Sequence, residues 1–247
     1  MLSKDTLLSI LSIPDVRLCV ENAFKKGVHI YMVGGTLRDL LLGLEIKDVD
    51  LVVESSVEKF LEYVESLNKK GRLLRRFYTF KFETSYDPVE HIDIAIARKE
   101  TYPKPGALPI VEPGTIEEDL YRRDFTINAL AIPVYPDGKT GNIIDPLGGL
   151  KDLSNRVIRV LHNRSFIDDP TRIFRAVRFS IRLGFSIDSD TEKLMKEAIE
   201  NGALRTVGIA RIRKEIELCK KEERAGEIFQ SLKALGISLS EFTGPEN

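Results

Sequence analysis

Cysteine is scarce: Cys19 and Cys219 are the only two in 247 residues. They stand alone, without metal-ligand spacing, which excludes a disulfide scaffold and fits a reduced intracellular protein. Net charge is nearly absent too, since 37 basic residues face 38 acidic ones for a balance of -1. Bulk charge therefore does not point to a polyanionic partner, and any basic surface must be local. No apolar run approaches the roughly 20 residues needed to cross a bilayer, and the N-terminus lacks the basic-then-apolar pattern of an export signal. These absences lead to the expectation of a cytoplasmic protein with no membrane association. Repeats and low-complexity tracts are also missing. What is present is a 43% hydrophobic content, enough for one large packed domain or two small ones.

Leu7 to Lys26 has helical character, and "VHIYMV" (Val28 to Val33) is a short apolar strand ending at Gly34 and Gly35. Leu37, Leu40, Leu41 and Leu44 then keep helical spacing, with Gly43 placed to stop the helix. The next strand carries Asp48 and Asp50, one residue apart, so that both side chains project from one face, close enough to share a cation. After a helix with Val57, Phe60, Leu61 and Val64 on one side, "RRFYTFKFET" and "VEHIDIAIAR" alternate like paired strands. Ile92, Ile94 and Ile96 face one way and Asp93 the other, where it would meet Asp48 and Asp50 if the two strands are neighbours. "YPKPGALPIVEPG" reads as a loop, and beyond about residue 162 the pattern becomes helical without strands.

A glycine pair at a strand-to-helix junction lets backbone approach a ligand, and the helix N-terminus offers N–H groups to an anion such as a triphosphate. Arg38, in the first turn, adds a charged donor. Alone, such a pair is more often a plain turn. Followed within one helix by two aspartates, it is what metal-assisted nucleotidyl transfer requires, because magnesium must bridge carboxylates and phosphate oxygens. In "RRDFTINAL", Arg123, Asp124 and Asn128 are hydrogen-bonding groups among apolar neighbours, suited to a ribose hydroxyl or else to a buried structural cluster. On the helix after Pro170, Arg172, Arg175, Arg178 and Arg182 share one arc opposite Ile173, Phe174, Val177 and Ile181. That stripe is either a solvated face or a surface for an anionic partner.

"VGGTLRDLLLGLEIKDVDLVV" resembles the signature of the class II tRNA nucleotidyltransferases and bacterial poly(A) polymerases, in the polymerase β nucleotidyltransferase superfamily. Further motifs follow in the family's order: "RRDFTINALAI", similar to its ribose-recognition element; "DPLGGLKDL", similar to the linking motif; "DDPTRIFRAVRF", similar to the amino-acid template for the incoming base; and "ARIRKEIEL", similar to the last helical motif. The resemblance, over roughly residues 28 to 218, implies an α+β fold: a polymerase β-like head with a mixed sheet over residues 1–161, then an all-helical neck over residues 162–247 that reads the nucleotide. It implies addition of C, A or both to the 3′ end of tRNA from CTP and ATP, with pyrophosphate released. Asp48 and Asp50 would hold Mg2+, with Asp93 as a third catalytic carboxylate. Gly34, Gly35, Arg38, Arg123, Asp124, Asn128, Asp169, Arg172, Arg175 and Arg178 would bind the nucleotide. In this assignment Asp169 and Arg172 pair with the base edge, although Asp169 is also placed to act only as a helix N-cap.

Two departures from the family pattern bear on the product. The residue before Asp169 is Asp168, where glutamate is often found, and a short "PKPGALP" replaces the usual basic flexible loop. The latter resembles enzymes that add only CC or only A, so full CCA synthesis, either partial activity and poly(A) synthesis all remain open. The chain also stops soon after the last motif, where the family normally continues, so it is expected to be a catalytic core or a short form. A non-enzymatic RNA-binding remnant would be expected to lose the aspartates, and an antibiotic-type nucleotidyltransferase would not need the arginine helix. The sequence leaves the oligomeric state undetermined.

Overall fold

The computed structural model describes residues 9–242, so Leu7, Leu8 and the last five residues of the chain lie outside the description. The N-terminal helical segment is broken at Ile13, because Pro14 opens a new helix, α1 (Pro14–Lys25), at a position where its missing N–H is no loss. Strand β1 (His29–Val33) leads without a linker into α2 (Gly34–Leu42), which Gly43 ends in the left-handed conformation at φ 68°. Then come β2 (Asp48–Glu54), α3 (Val57–Ser66), β3 (Arg72–Leu74), β4 (Thr79–Glu83) and β5 (His91–Ile96). Next are β6 (Arg98–Thr101), β7 (Ile110–Pro113), α4 (Ile116–Tyr121), β8 (Ala131–Pro133) and α5 (Gly149–Asn155).

Six strands form one mixed sheet in the order β3-β4-β5-β2-β1-β8. The β2–β5 pair is parallel and the other neighbours are antiparallel. Alternation fixes its faces: Val49, Leu51 and Val53 of β2 and Ile92, Ile94 and Ile96 of β5 are almost wholly buried, while Asp48, Asp50 and Asp93 take the other side. Burying each of these aliphatic side chains is worth about 1.5–3 kcal/mol, and a one-residue slip would expose all six. The register of the aspartates is therefore enforced by the core. Phe60 and Tyr63 of α3 are also fully buried, and the Tyr63 hydroxyl donates to the Cys19 carbonyl of α1 at 3.1 Å.

The chain divides into two compact units. The first comprises residues 1–100, 111–123 and 127–150; the second comprises residues 101–110, 124–126 and 151–247. In the second, β9 (Val157–Ile158), α6 (Ser165–Asp168), α7 (Arg172–Leu183), β10 (Ser186–Ile187), α8 (Ser189–Glu200), α9 (Ile209–Lys220) and α10 (Ala225–Ala234) follow in order. Phe125, fully buried here, meets Phe179 of α7 edge-to-face at 6.0 Å between ring centres. Two expectations change. Ile110–Pro113 of the proline-rich stretch is a strand, with β6 and β7 forming a two-stranded sheet of their own. The helical C-terminal portion also holds one two-residue strand, β10, parallel to β9. Both are too short to show period-two alternation.

Candidate active site

The parallel register of β2 and β5 places Asp50 directly opposite Asp93 and Asp48 opposite His91. Asp48 is exposed, and Asp50 and Asp93 are half-buried. Burial pushes the Asp50 carboxyl up to about 6, with Arg123 pulling down and the charges of Asp93 and Asp48 pushing further up. Carboxylates crowded this way favour a cation beside them. No three His, Cys, Asp or Glu side chains converge as a ready ligand set among the described residues; Asp93 is instead ion-paired with Lys81 of β4. The donor set around Asp48 and Asp50 nevertheless fits a divalent cation with phosphate. The bare backbone of Gly34 and Gly35 faces the Asp50 carboxylate, where a methyl group on either residue would lie 3.6 Å from Oδ2.

Gly34 adopts φ 62°, in the left-handed region, and a side chain there would also meet the Arg123 Nη1 at 2.6 Å. Only glycine holds this turn without strain. The Gly34 N–H donates to the Leu130 carbonyl at 3.2 Å, which ties the turn to β8's approach. From the first turn of α2, the Thr36 hydroxyl accepts from the Asp50 N–H at 2.7 Å and donates to the Asp48 carbonyl at 3.1 Å. One side chain thus fixes the backbone of both aspartates.

Arg38 does not project freely. Its guanidinium is buried, forks onto Asp39 at 2.7 and 2.8 Å and donates to Asn128 Oδ1 at 2.6 Å. Arg123 is held by Asp119 of α4 through two donors at 2.7 and 3.2 Å and reaches the Asn128 carbonyl at 3.4 Å. Asp119 is fully buried and also accepts from Arg122 at 2.7 and 3.0 Å. Burial alone would raise its pKa, but the two arginines outweigh that and hold it below the usual carboxylate value. Gly34, Gly35, Arg38, Asp48, Asp50, Asp93, Arg123 and Asn128 accordingly all belong to the first unit and cluster around α2 and the β2–β5 pair.

Asp124, Asp169, Arg172, Arg175 and Arg178 belong to the second unit. The arginine arc of α7 is not a solvated face: Arg172 and Arg178 are buried and only Arg182 is exposed. Arg172 donates to Ser165 Oγ at 2.6 Å, Arg175 forks onto Asp124 Oδ2 at 2.5 and 2.8 Å, and Arg178 pairs with Glu222 at 3.2 Å and Glu215 at 3.7 Å. Burial pushes the Glu215 carboxyl up, against the pull of Arg175 and Arg178. The acids that answer the stripe come from other segments, which the helix's own sequence does not show. Asp169 is not the N-cap of α7, a position held by Thr171; its Oδ1 accepts from the Thr171 N–H and hydroxyl at 3.1 and 2.6 Å and pairs with Arg211 of α9 at 2.8 Å.

Thr36, Lys81, Asp119 and Arg211 are side chains to which the sequence reading gives no role, although Thr36 and Arg211 lie within quoted motifs. For Lys81 a signal exists, because Phe80 and Phe82 alternate around it and put it on the aspartate face. Asp119 is three and four residues before Arg122 and Arg123, the spacing of helical ion pairs. Nothing local marks the partners of Thr36 or Arg211, which lie 12 or more positions away.

Residues 30–159 match the family model of the poly(A) polymerase head domain. The chain is 45% identical over 203 residues to an A-adding tRNA nucleotidyltransferase of Aquifex aeolicus, covering 82% of this chain and 24% of that protein. A second A-adding enzyme, from Geobacter sulfurreducens, is 42% identical and covers 88% of this chain and 24% of its own length. A Halalkalibacterium halodurans enzyme of the same name is 39% identical, with 51% of its length matched. The chain thus spans a quarter to a half of these relatives. Among solved structures, a CCA-adding enzyme in an apo form superposes with a TM-score of 0.80 at 40% identity, over 94% of this chain and 55% of that one. A tRNA nucleotidyltransferase complexed with a primer tRNA and an incoming ATP analogue gives 0.75 at 39%, over 93% and 63%. The chain belongs to the family defined by the poly(A) polymerase head domain.

Proposed function

We propose that this chain carries out nucleotidyl transfer to the 3′ end of tRNA, the RNA 3′-hydroxyl attacking the α-phosphate of a nucleoside triphosphate with pyrophosphate leaving. The observation that carries the reading is the β2–β5 register, which sets Asp50 against Asp93 beneath the Gly34–Gly35 turn. Asp48 and Asp50 would hold Mg2+, which when bound supplies charge neutralisation on the triphosphate and acidifies the attacking hydroxyl. The first turn of α2 presents backbone N–H groups to the phosphates, and Gly34 and Gly35 let them approach. Asp93 lies on the same sheet face and serves as the third carboxylate.

Arg123 and Asn128, anchored by Asp119 and Arg38, are positioned for the ribose. Asp169 and Arg172 read the base edge, with Asp124, Arg175 and Arg178 shaping that reader. The corresponding division is a catalytic head over residues 1–161 and a nucleotide-reading neck over residues 162–247. It is supported by the clustering of the carboxylates and glycines in one compact unit and of Asp169 and the α7 arginines in the other.

The product is A, C or both: three curated relatives at 39–45% identity are named A-adding and those named multifunctional CCA proteins stand at 34–35%, while a solved CCA-adding enzyme stands at 40%. The partners are then tRNA and ATP, and CTP where the activity extends to C. No helix among the described residues is long and apolar enough to cross a membrane, and both cysteines are free and buried. Work on tRNA with free thiols supports a cytoplasmic site. The test is nucleotide addition with magnesium on tRNA transcripts lacking the terminal A, the terminal CA or the whole CCA, with ATP and CTP supplied separately and together. A single A added to the first transcript supports the reading, and no incorporation on any transcript overturns it.

A further inference from the structure

The short proline-rich segment between β6 and β7 is held by its backbone at Gly106. Pro103, Lys104, Pro105 and Leu108 are exposed, whereas Gly106 between them is buried. Its N–H donates to the Ile167 carbonyl at 3.2 Å, and its carbonyl accepts from Arg211 Nη1 at 3.0 Å. Gly106 adopts φ 67°, and a methyl group there would lie 2.6 Å from the Thr206 carbonyl oxygen and 2.3 Å from its hydroxyl, so no larger residue fits without moving the loop. The Ala107 N–H donates to the Lys104 carbonyl at 3.2 Å, which closes the tip on itself, and the prolines stiffen both sides. Arg211 has a second partner: its other terminal nitrogen pairs with Asp169 Oδ1 at 2.8 Å. All of these residues belong to the second compact unit.

We propose that Arg211 is a positioning residue for nucleotide choice: it ties the backbone of the Gly106 loop to the carboxylate of Asp169, so that the loop acts as a fixed strut holding that carboxylate in one orientation. The inference rests on the reading of Asp169 as a contact to the incoming base. A planar guanidinium with two separate donors can hold a carbonyl and a carboxylate at once, which one ammonium head cannot do as rigidly. An Asp169 held by Arg211 on one side and by the Thr171 N–H and hydroxyl on the other presents a single acceptor pattern. Release of the strut lets the carboxylate turn, and a turning acceptor discriminates less between the edges of adenine and cytosine.

The experiment compares the unsubstituted protein with Arg211→Ala, Arg211→Lys and Gly106→Ala. It measures kcat and KM for ATP and for CTP on a tRNA transcript lacking the terminal A, and amide hydrogen exchange at Gly106 and Ala107. Arg211→Ala is expected to lower the ratio of kcat/KM for ATP to that for CTP at least tenfold, mainly through KM for ATP, and to speed Gly106 exchange at least tenfold. Arg211→Lys should fall between it and the parent, and Gly106→Ala should shift the ratio in the same direction with Arg211 intact. A ratio within twofold of the parent in Arg211→Ala, an equal loss of kcat for both nucleotides, or unchanged Gly106 exchange overturns the inference while leaving the proposed activity in place. Absence of incorporation by the unsubstituted protein overturns the activity itself, and the inference falls with it.

Discussion

Replacing Asp119 by asparagine removes one negative charge from the interior without changing volume. Its carboxylate is fully buried and accepts from both Arg122 and Arg123 and from the Arg98 N–H. Of its two arginines, Arg122 keeps a second acid, Glu100, at 3.2 Å, whereas Arg123 keeps the Asn128 carbonyl at 3.4 Å. Breaking a buried ion pair by removing one member costs about 3–5 kcal/mol, because the other charge is left uncompensated. The residual Glu100 contact places Asp119→Asn near the lower end, about 3 kcal/mol. In a chain of this size that lowers the unfolding midpoint by roughly 6–12 °C. Urea titration followed by circular dichroism at pH 7 measures the free-energy loss, and a thermal scan measures the midpoint.

The same substitution has a signature in pH. Because the folded carboxyl of Asp119 sits below its ordinary value, its contribution is fully present above the unfolded pKa, near 4, and is lost as pH falls through the folded one. The parent should therefore lose stability between about pH 4 and lower values, and Asp119→Asn should lose less over that window. A cost under about 1 kcal/mol at pH 7, or an identical acid limb in both proteins, would refute the argument that Asp119 anchors the two arginines.

Asp48→Ala should leave stability within about 0.5 kcal/mol, since Asp48 is exposed, while lowering nucleotide incorporation on the order of a thousandfold; normal incorporation would remove Asp48 from the site. Chelation with EDTA should abolish incorporation and added Mg2+ restore it, with activity in chelator refuting the metal assignment. Gly34→Ala strains a left-handed turn by about 1–2 kcal/mol and pushes a methyl onto Arg123, so transfer should fall further than stability does. Thr36→Val removes the hydroxyl that accepts from Asp50 and donates to Asp48; kcat should drop with KM for ATP little changed, whereas a KM effect alone would assign Thr36 to nucleotide binding.

What the sequence made legible followed from short-range periodicity. The β1–α2 junction, the shared face of Asp48 and Asp50 and the placing of Asp93 on the face away from Ile92, Ile94 and Ile96 all follow from patterns within a dozen residues. Strand order, including the neighbour relation of β2 and β5, does not, because side-chain alternation says which face a residue takes and nothing about which strand lies beside it. The α7 arginines show the limit most clearly. At 100° per residue they form one cationic arc with no acid on it, and a solvated or anion-binding surface is the natural reading. In the fold, Asp124 arrives from fifty-one positions upstream and Glu222 from forty-four downstream to meet Arg175 and Arg178. Those two guanidiniums are committed to protein carboxylates, so the arc contributes rigidity to the segment carrying Asp169 rather than an open electrostatic surface. For the proposed base reader this is the more useful property: discrimination between two nucleotides depends on holding an acceptor still, and the ion pairs of Arg175 and Arg178 with acids from other segments do that where exposed charges would only raise affinity for any anion.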